Sequence, residues 1–148
     1  MKCENVIRNV IEGECEDYFL GVVDLSQIEN GIVEKYSSLI AEYPRAISIG
    51  ITMPYKVVEK LQIEDMAYNE TNCQLKYITS HLSSLLEQKG YRALSVPKSK
   101  EMNDDSNVSF HEVVANLADM GEIKKNALIT PEVGSKVNWG TILTNAPI

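Results

Sequence analysis

Residues 45–54 read Arg45-Ala46-Ile47-Ser48-Ile49-Gly50-Ile51-Thr52-Met53-Pro54, and the alternation of isoleucine with small residues is the period of a strand buried in a sheet. Pro54 closes it, because proline cannot extend a central ladder. On either side the pattern turns helical. Upstream, Ser26 followed three residues later by Glu29 has the form of a capping box. Ile28, Ile32, Val33, Tyr36, Leu39, Ile40 and Tyr43 then recur at helical spacing until Pro44 stops the run. Downstream, after a short amphipathic piece with Val57, Val58 and Leu61, the longest helix is expected over residues 63–89. Leu75, Ile78, Leu82, Leu85 and Leu86 share one of its faces, and Gly90 sits in the C′ position.

The rest of the chain alternates in the same way. A short helix over residues 3–12 precedes a strand over 18–23, rich in aromatic and β-branched residues, and a third strand over 91–96 ends at Pro97. A polar loop, 99–107, leads to a second capping box, Ser109-Phe110-His111-Glu112. It opens a helix with Val113, Val114, Leu117 and Met120 inward and Gly121 at its end. Two last strands, 126–130 and 138–144, flank the turn chemistry of Pro131-Glu132-Val133-Gly134-Ser135. The expected fold is a layered α/β (α+β) sandwich, one domain over residues 1–148, with a mixed sheet of about five strands flanked by helices.

Length and composition agree with one globular domain. A chain of 148 residues with 44% hydrophobic and 24% charged residues can bury roughly 68–70% of its unfolded surface. It has no run approaching the ~18 apolar residues of a membrane span. Fourteen basic against 21 acidic residues give a net charge of −7, which repels phosphate backbones unless cations cluster. The pairs Lys98/Lys100 and Lys124/Lys125 are too small for a nucleic-acid footprint. The N-terminus turns acidic with no apolar signal run, so a cytoplasmic location is expected. Three scattered cysteines, Cys3, Cys15 and Cys73, with no CxxC pair, exclude a paired disulfide framework and a four-cysteine metal or iron-sulfur site.

Chemical motifs are sparse. GxGxxG, P-loop, HExxH and GxSxG patterns are all absent. His81 and His111 lie on different helices without metal-ligand spacing and read as structural or exposed, and Cys73 reads as a small buried hydrophobe. Asp104-Asp105-Ser106 precedes a helix N-terminus, which favours an ionised carboxylate or simply a solvated loop acid. Lys124-Lys125-Asn126, just past Gly121, would hold an anion or form a solvated face. Tyr68 and Tyr77 are half a turn out of phase and cannot form one stacking platform.

The run SFHEVVANLADMGEIKKNALITPEVGSKVNWGTILTNAPI, from Ser109 to Ile148, resembles epoxyqueuosine reductase and its archaeal and bacterial relatives, most specifically in ITPEVG and LTNAPI. RAISIGITMP, YNETNCQLKY and KGYRALSVPKSK resemble the preceding part of those proteins. The resemblance implies a fold related to nitroreductase-like and reductive-dehalogenase domains. In such a domain cobalamin is bound, and electrons arrive from a following ferredoxin-like domain with two four-iron clusters. That second domain is absent from this sequence, so the expectation is no iron-sulfur cluster in this chain and a separate iron-sulfur electron donor. Nitroreductase-like domains commonly pair, so the resemblance also leaves a homodimer open.

Carried over by position, the resemblance places Asp105 where those reductases have an aspartate thought to protonate the substrate. It places Ser109, Gly121, Lys125, Asn126, Thr130, Pro131, Glu132 and Gly134 in the segment that approaches the corrin. The chain departs from the pattern where Glu122 stands for the tryptophan of GWIGK and Lys124 for its second glycine. It departs again at Ser135, Lys136 and Asn138. Two readings follow: a cofactor-binding redox domain for a small-molecule ligand, dependent on a separate donor, and a non-catalytic binding or interaction module that keeps the fold without the catalytic pocket.

Overall fold

The computed structural model describes residues 2–13, 18–28, 36–52, 61–96, 110–124, 127–134 and 137–147. In chain order these form α1 (Lys2–Glu12), β1 (Tyr18–Asp24), a 3-10 turn (Leu25–Gln27), α2 (Ser37–Glu42) and β2 (Arg45–Thr52). Then come α3 (Leu61–Gln88), β3 (Ala93–Ser95), α4 (Phe110–Leu117), β4 (Glu122–Lys124), β5 (Ala127–Ile129) and β6 (Val137–Thr144). The main sheet has the order β1-β2-β6-β3, and β4 and β5 form a separate hairpin.

The layered α+β class is as expected, but the sheet is not mixed: all three of its pairings are antiparallel. The physical reason lies in β6. The α3 connection brings β3 back in the same direction as β2, and β6 then inserts between the two, antiparallel to both. Ile47 faces Ile142 across that ladder, Ser48 faces Thr141, and Gly50 faces Trp139.

Because side chains alternate across a strand, the sheet has two cores. On one face Ile47, Ile49, Ile51 and Ile142 pack against Ile7 and Ile11 of α1 and Leu75, Ile78, Leu82 and Leu86 of α3. Burying each such side chain contributes about 1.5–3 kcal/mol, and that stripe on α3 is the one its spacing demands. On the other face Ala46 and Leu143 meet Leu25, Ile40, Phe110 and Val114. Further along, Trp139 and Val137 meet Ala115 and Leu128. The tryptophan ring lies over Gly50, where a Cβ would come within 2.5 Å of it.

Local signals were realised unevenly. Gly90, at φ +93°, ends α3 as expected: the Tyr91 N–H donates to the Leu86 carbonyl and the Gly90 N–H to that of Glu87. At the expected Ser26 capping box, whose Glu29 lies outside the described residues, Ser26 is hydrogen-bonded to Asp24 two residues before it, and Asp24 caps the 3-10 turn. Asp24 accepts from both the Ser26 N–H (3.0 Å) and its hydroxyl (2.6 Å), and these bonds, with the charge of Arg45, hold its carboxyl below the usual range. Residues 29–35 of the expected long upstream helix lie outside the described residues. Helix α4 ends at Leu117, and the left-handed residue after it is Asp119, at φ +65°, rather than Gly121. Cys73, expected inside, is exposed, because at 100° per residue it stands 200° from Leu75 and its buried stripe.

Candidate functional site

The segment that the sequence singles out runs from α4 through the β4–β5 hairpin to the start of β6. Helix α4 is fixed to the sheet by Phe110, Val113, Val114 and Ala115, all buried, and by His111. The His111 ring nitrogen Nδ1 shares a 2.9 Å hydrogen bond with Thr141 Oγ1 in the middle of β6. His111 is thus the structural histidine that its position suggested, and His81 is exposed, edge-on to Tyr77.

Beyond Asp119 the chain turns tightly. Asn116 Nδ2 donates to the Gly121 carbonyl at 2.8 Å, and the Gly121 Cα lies so close to β5 that an added Cβ would be 2.6 Å from the Ile129 carbonyl oxygen. That backbone approach accounts for a glycine here in packing terms. Glu122 and Lys124, two of the departures from the family pattern, project from one side of β4 and pair with each other at 3.4 Å. Both are well exposed, so the pair contributes little to stability. The strand β4 itself carries no sequence signal: three residues, charged, apolar, charged, become a strand only because β5 pairs with them.

The ITPEVG motif is a closed loop. The Thr130 N–H donates to the Gly134 carbonyl (2.9 Å) and the Gly134 N–H to the Thr130 carbonyl (3.0 Å). The Thr130 hydroxyl donates to the Gly134 carbonyl and accepts from the Val133 N–H. Thr130 is buried; Pro131 and Glu132 are exposed. Gly134 adopts φ +66°, and none of the described residues fills the space a Cβ would enter there. LTNAPI is a clamp. Thr144 Oγ1 donates to the Arg92 carbonyl (2.6 Å), Asn145 Oδ1 accepts from the Arg92 N–H (2.7 Å), and the Arg45 guanidinium donates to the carbonyls of Asn145 and Ala146.

Of the residues that the resemblance placed near a cofactor, the structure therefore brings Gly121, Thr130, Pro131, Glu132 and Gly134 together on one hairpin and its following loop. Asp105, Ser109, Lys125 and Asn126 lie outside the described residues, as do Asp104 and the Lys98/Lys100 pair. A corrinoid carries its own cobalt and needs a flat, partly apolar surface rather than a ligand cluster. Among the described residues nothing stands within 4 Å of the Cβ position of Gly134, beside exposed Pro131 and Glu132, and no surface of that kind is formed by these residues alone. Gly121 and Thr130 act from behind, as framework. Among the described residues no group of three or more His, Cys, Asp or Glu side chains could hold a metal, and no helix is long and apolar enough to cross a membrane. A cleft of about 300 Å³ lies elsewhere, between the 3-10 turn and α2, lined by Leu25, Ile28, Ile40 and Pro44 with Ser26 and Ser37.

Sequence reasoning missed two residues that matter here. Glu112, read as half of a capping box, accepts the Leu128 N–H of β5 at 2.8 Å. Trp139, the single tryptophan of the chain, packs beneath the hairpin with Leu128 and Val133. Nothing in the spacing of these residues marks either role, since both depend on where the hairpin folds back.

No family model and no curated protein matches this sequence. Solved structures are similar in fold. An epoxyqueuosine reductase bound to an epoxyqueuosine-modified tRNA-Tyr stem loop matches 99% of this chain with a TM-score of 0.66 and 17% identity. The Streptococcus thermophilus epoxyqueuosine reductase matches 100% with a TM-score of 0.63 and 16% identity. The Bacillus subtilis enzyme, with its catalytic loop swung out of the active site, matches 97% with a TM-score of 0.57 and 18% identity. The chain spans slightly less than half of each, 46%, 47% and 46% respectively. Its fold is that of the part of epoxyqueuosine reductase that it covers.

Proposed function

We propose that this chain is the cofactor-binding part of a redox system built on the epoxyqueuosine reductase fold. Its ligand is a corrinoid or another flat molecule of tetrapyrrole or flavin size, and its electrons come from an iron-sulfur protein whose clusters lie outside this chain. The observation that carries this reading is the fold match over 97–100% of the chain, with ITPEVG and LTNAPI both folded as compact, hydrogen-bonded units. The three cysteines of the sequence are too few for a four-iron cluster of its own. The net charge of −7 supports a small-molecule ligand over nucleic acid.

In this reading the bound corrinoid supplies the redox centre. Pro131, Glu132 and Gly134 would hold it, with Thr130 fixing the loop. Asp105 is the proton donor to the substrate. Anaerobic titration with cobalamin, followed by the visible spectrum and by quenching of Trp139 fluorescence, tests the proposal. Saturable one-to-one binding is expected, and with a supplied donor D105A loses turnover while still binding cobalamin. Folded protein that leaves the spectrum unchanged would overturn the reading. It would favour the interaction module, to which the packing use of Gly121 lends support.

A further inference from the structure

We infer that Glu112 is a positioning residue: its carboxylate sets where the β4–β5 hairpin, and with it the Thr130–Gly134 loop, stands relative to the sheet. The inference rests on the proposed use of that loop as the ligand-facing surface. A two-stranded hairpin alone is marginal in water, so its orientation must come from what it touches. Helix α4 is itself registered on the sheet by the His111–Thr141 bond and by buried Val114 and Ala115. From this fixed helix two side chains one turn apart reach the hairpin. Asn116 holds the Gly121 carbonyl at the entry to β4, and Glu112 holds the Leu128 N–H in β5.

The second contact has the greater reach. Leu128 sits opposite Ile123 in the hairpin register, and its N–H is bonded to Glu112 on α4. Two residues later Thr130 begins the closed loop. The Leu128 side chain is buried against the Trp139 cluster, so a shift of this amide moves the loop and disturbs the tryptophan together.

Amide hydrogen exchange on the full chain without ligand, with the variants E112A, E112Q and E112D, tests the role. In E112A the amides of Leu128, Thr130 and Gly134 should exchange about tenfold faster while those of Ile47 and Ile49 do not change. E112Q, which keeps an acceptor at the same reach, should restore protection. Cobalamin affinity should fall in E112A and recover in E112Q. Acceleration confined to Leu128, or a loosened loop with unchanged affinity, would overturn the positioning role. If E112A does not fold, E112D decides the same comparison, because it keeps the carboxyl group but is one methylene too short. Failure of the unmodified chain to bind cobalamin would remove the proposed ligand while leaving the exchange result to stand or fall separately.

Discussion

Replacing Gly121 by alanine separates two uses of that glycine. If the position is glycine so that a ligand can approach the backbone, G121A should leave the unliganded protein as stable as before and lower only its affinity. The structure says otherwise. The new Cβ would sit 2.6 Å from the Ile129 carbonyl oxygen, 3.1 Å from its carbonyl carbon and 3.3 Å from the Leu128 side chain, where ordinary contact begins at 3.4 Å. Two of those three neighbours are backbone in the hairpin and cannot rotate away, so β5 must shift. Overpacking of this kind costs about 1–3 kcal/mol. Alanine restricts the unfolded chain and returns about 0.4–1 kcal/mol, leaving a net loss near 1–2 kcal/mol. For a chain of this size that lowers the melting temperature by about 3–6 °C. Thermal unfolding followed by circular dichroism, without ligand, reads it directly. A melting temperature within a degree of the parent would refute the close approach and return Gly121 to the ligand.

Further substitutions probe other features. D119G should stabilise the protein by about 0.5–1 kcal/mol, since a left-handed residue at the end of α4 suits glycine best; the denaturant midpoint should rise with an unchanged slope. T130V, which keeps the shape but removes both hydroxyl bonds of the loop, should cost about 1–3 kcal/mol in the same assay. The Asp24 cap gives a pH dependence of known sign. Its folded pKa lies below the ordinary 3.8, so its stabilisation is complete above that value and fades as pH falls through the lowered one. D24N should flatten the acid limb of the stability profile. Exposed Cys73 should react with a thiol reagent in the native protein, seen as a labelled peptide by mass mapping; protection until denaturant is added would contradict its placement.

The elements legible in the sequence are those whose own residues decide them. The isoleucine alternation of β2 gave its bounds, Arg45–Thr52, without error, and the apolar spacing of α3 with Gly90 gave that helix and its end. What the sequence left open were relations between distant segments. The order β1-β2-β6-β3 depends on β6 entering between strands whose connecting helix suggests a parallel pair. Strand β4 exists only through β5, and the Asp24 cap forms where two donors of Ser26 meet one carboxylate. At the candidate site the motifs ITPEVG and LTNAPI stood out as text, and the structure shows what their side chains do locally. The residues that hold the hairpin, Glu112 and Asn116, carry no such signature, since a glutamate or asparagine on a short helix is ordinary until its partner amide or carbonyl is known.

The place of β6 has a consequence for how the molecule is made. The strand latest in sequence lies between β2 and β3, so during synthesis the ribosome releases β1, β2 and the long helix well before the strand that joins them to β3 exists. Until residues 137–144 emerge, one side of β2 and one side of β3 have no partner in the main sheet, and the isoleucine face of β2 has only part of its cover. Such long-range pairings slow folding and prolong the exposure of sticky edges. The nascent chain therefore exposes these edges until this strand arrives, and substitutions that weaken β6 should lower soluble yield during expression as well as the stability of the folded protein.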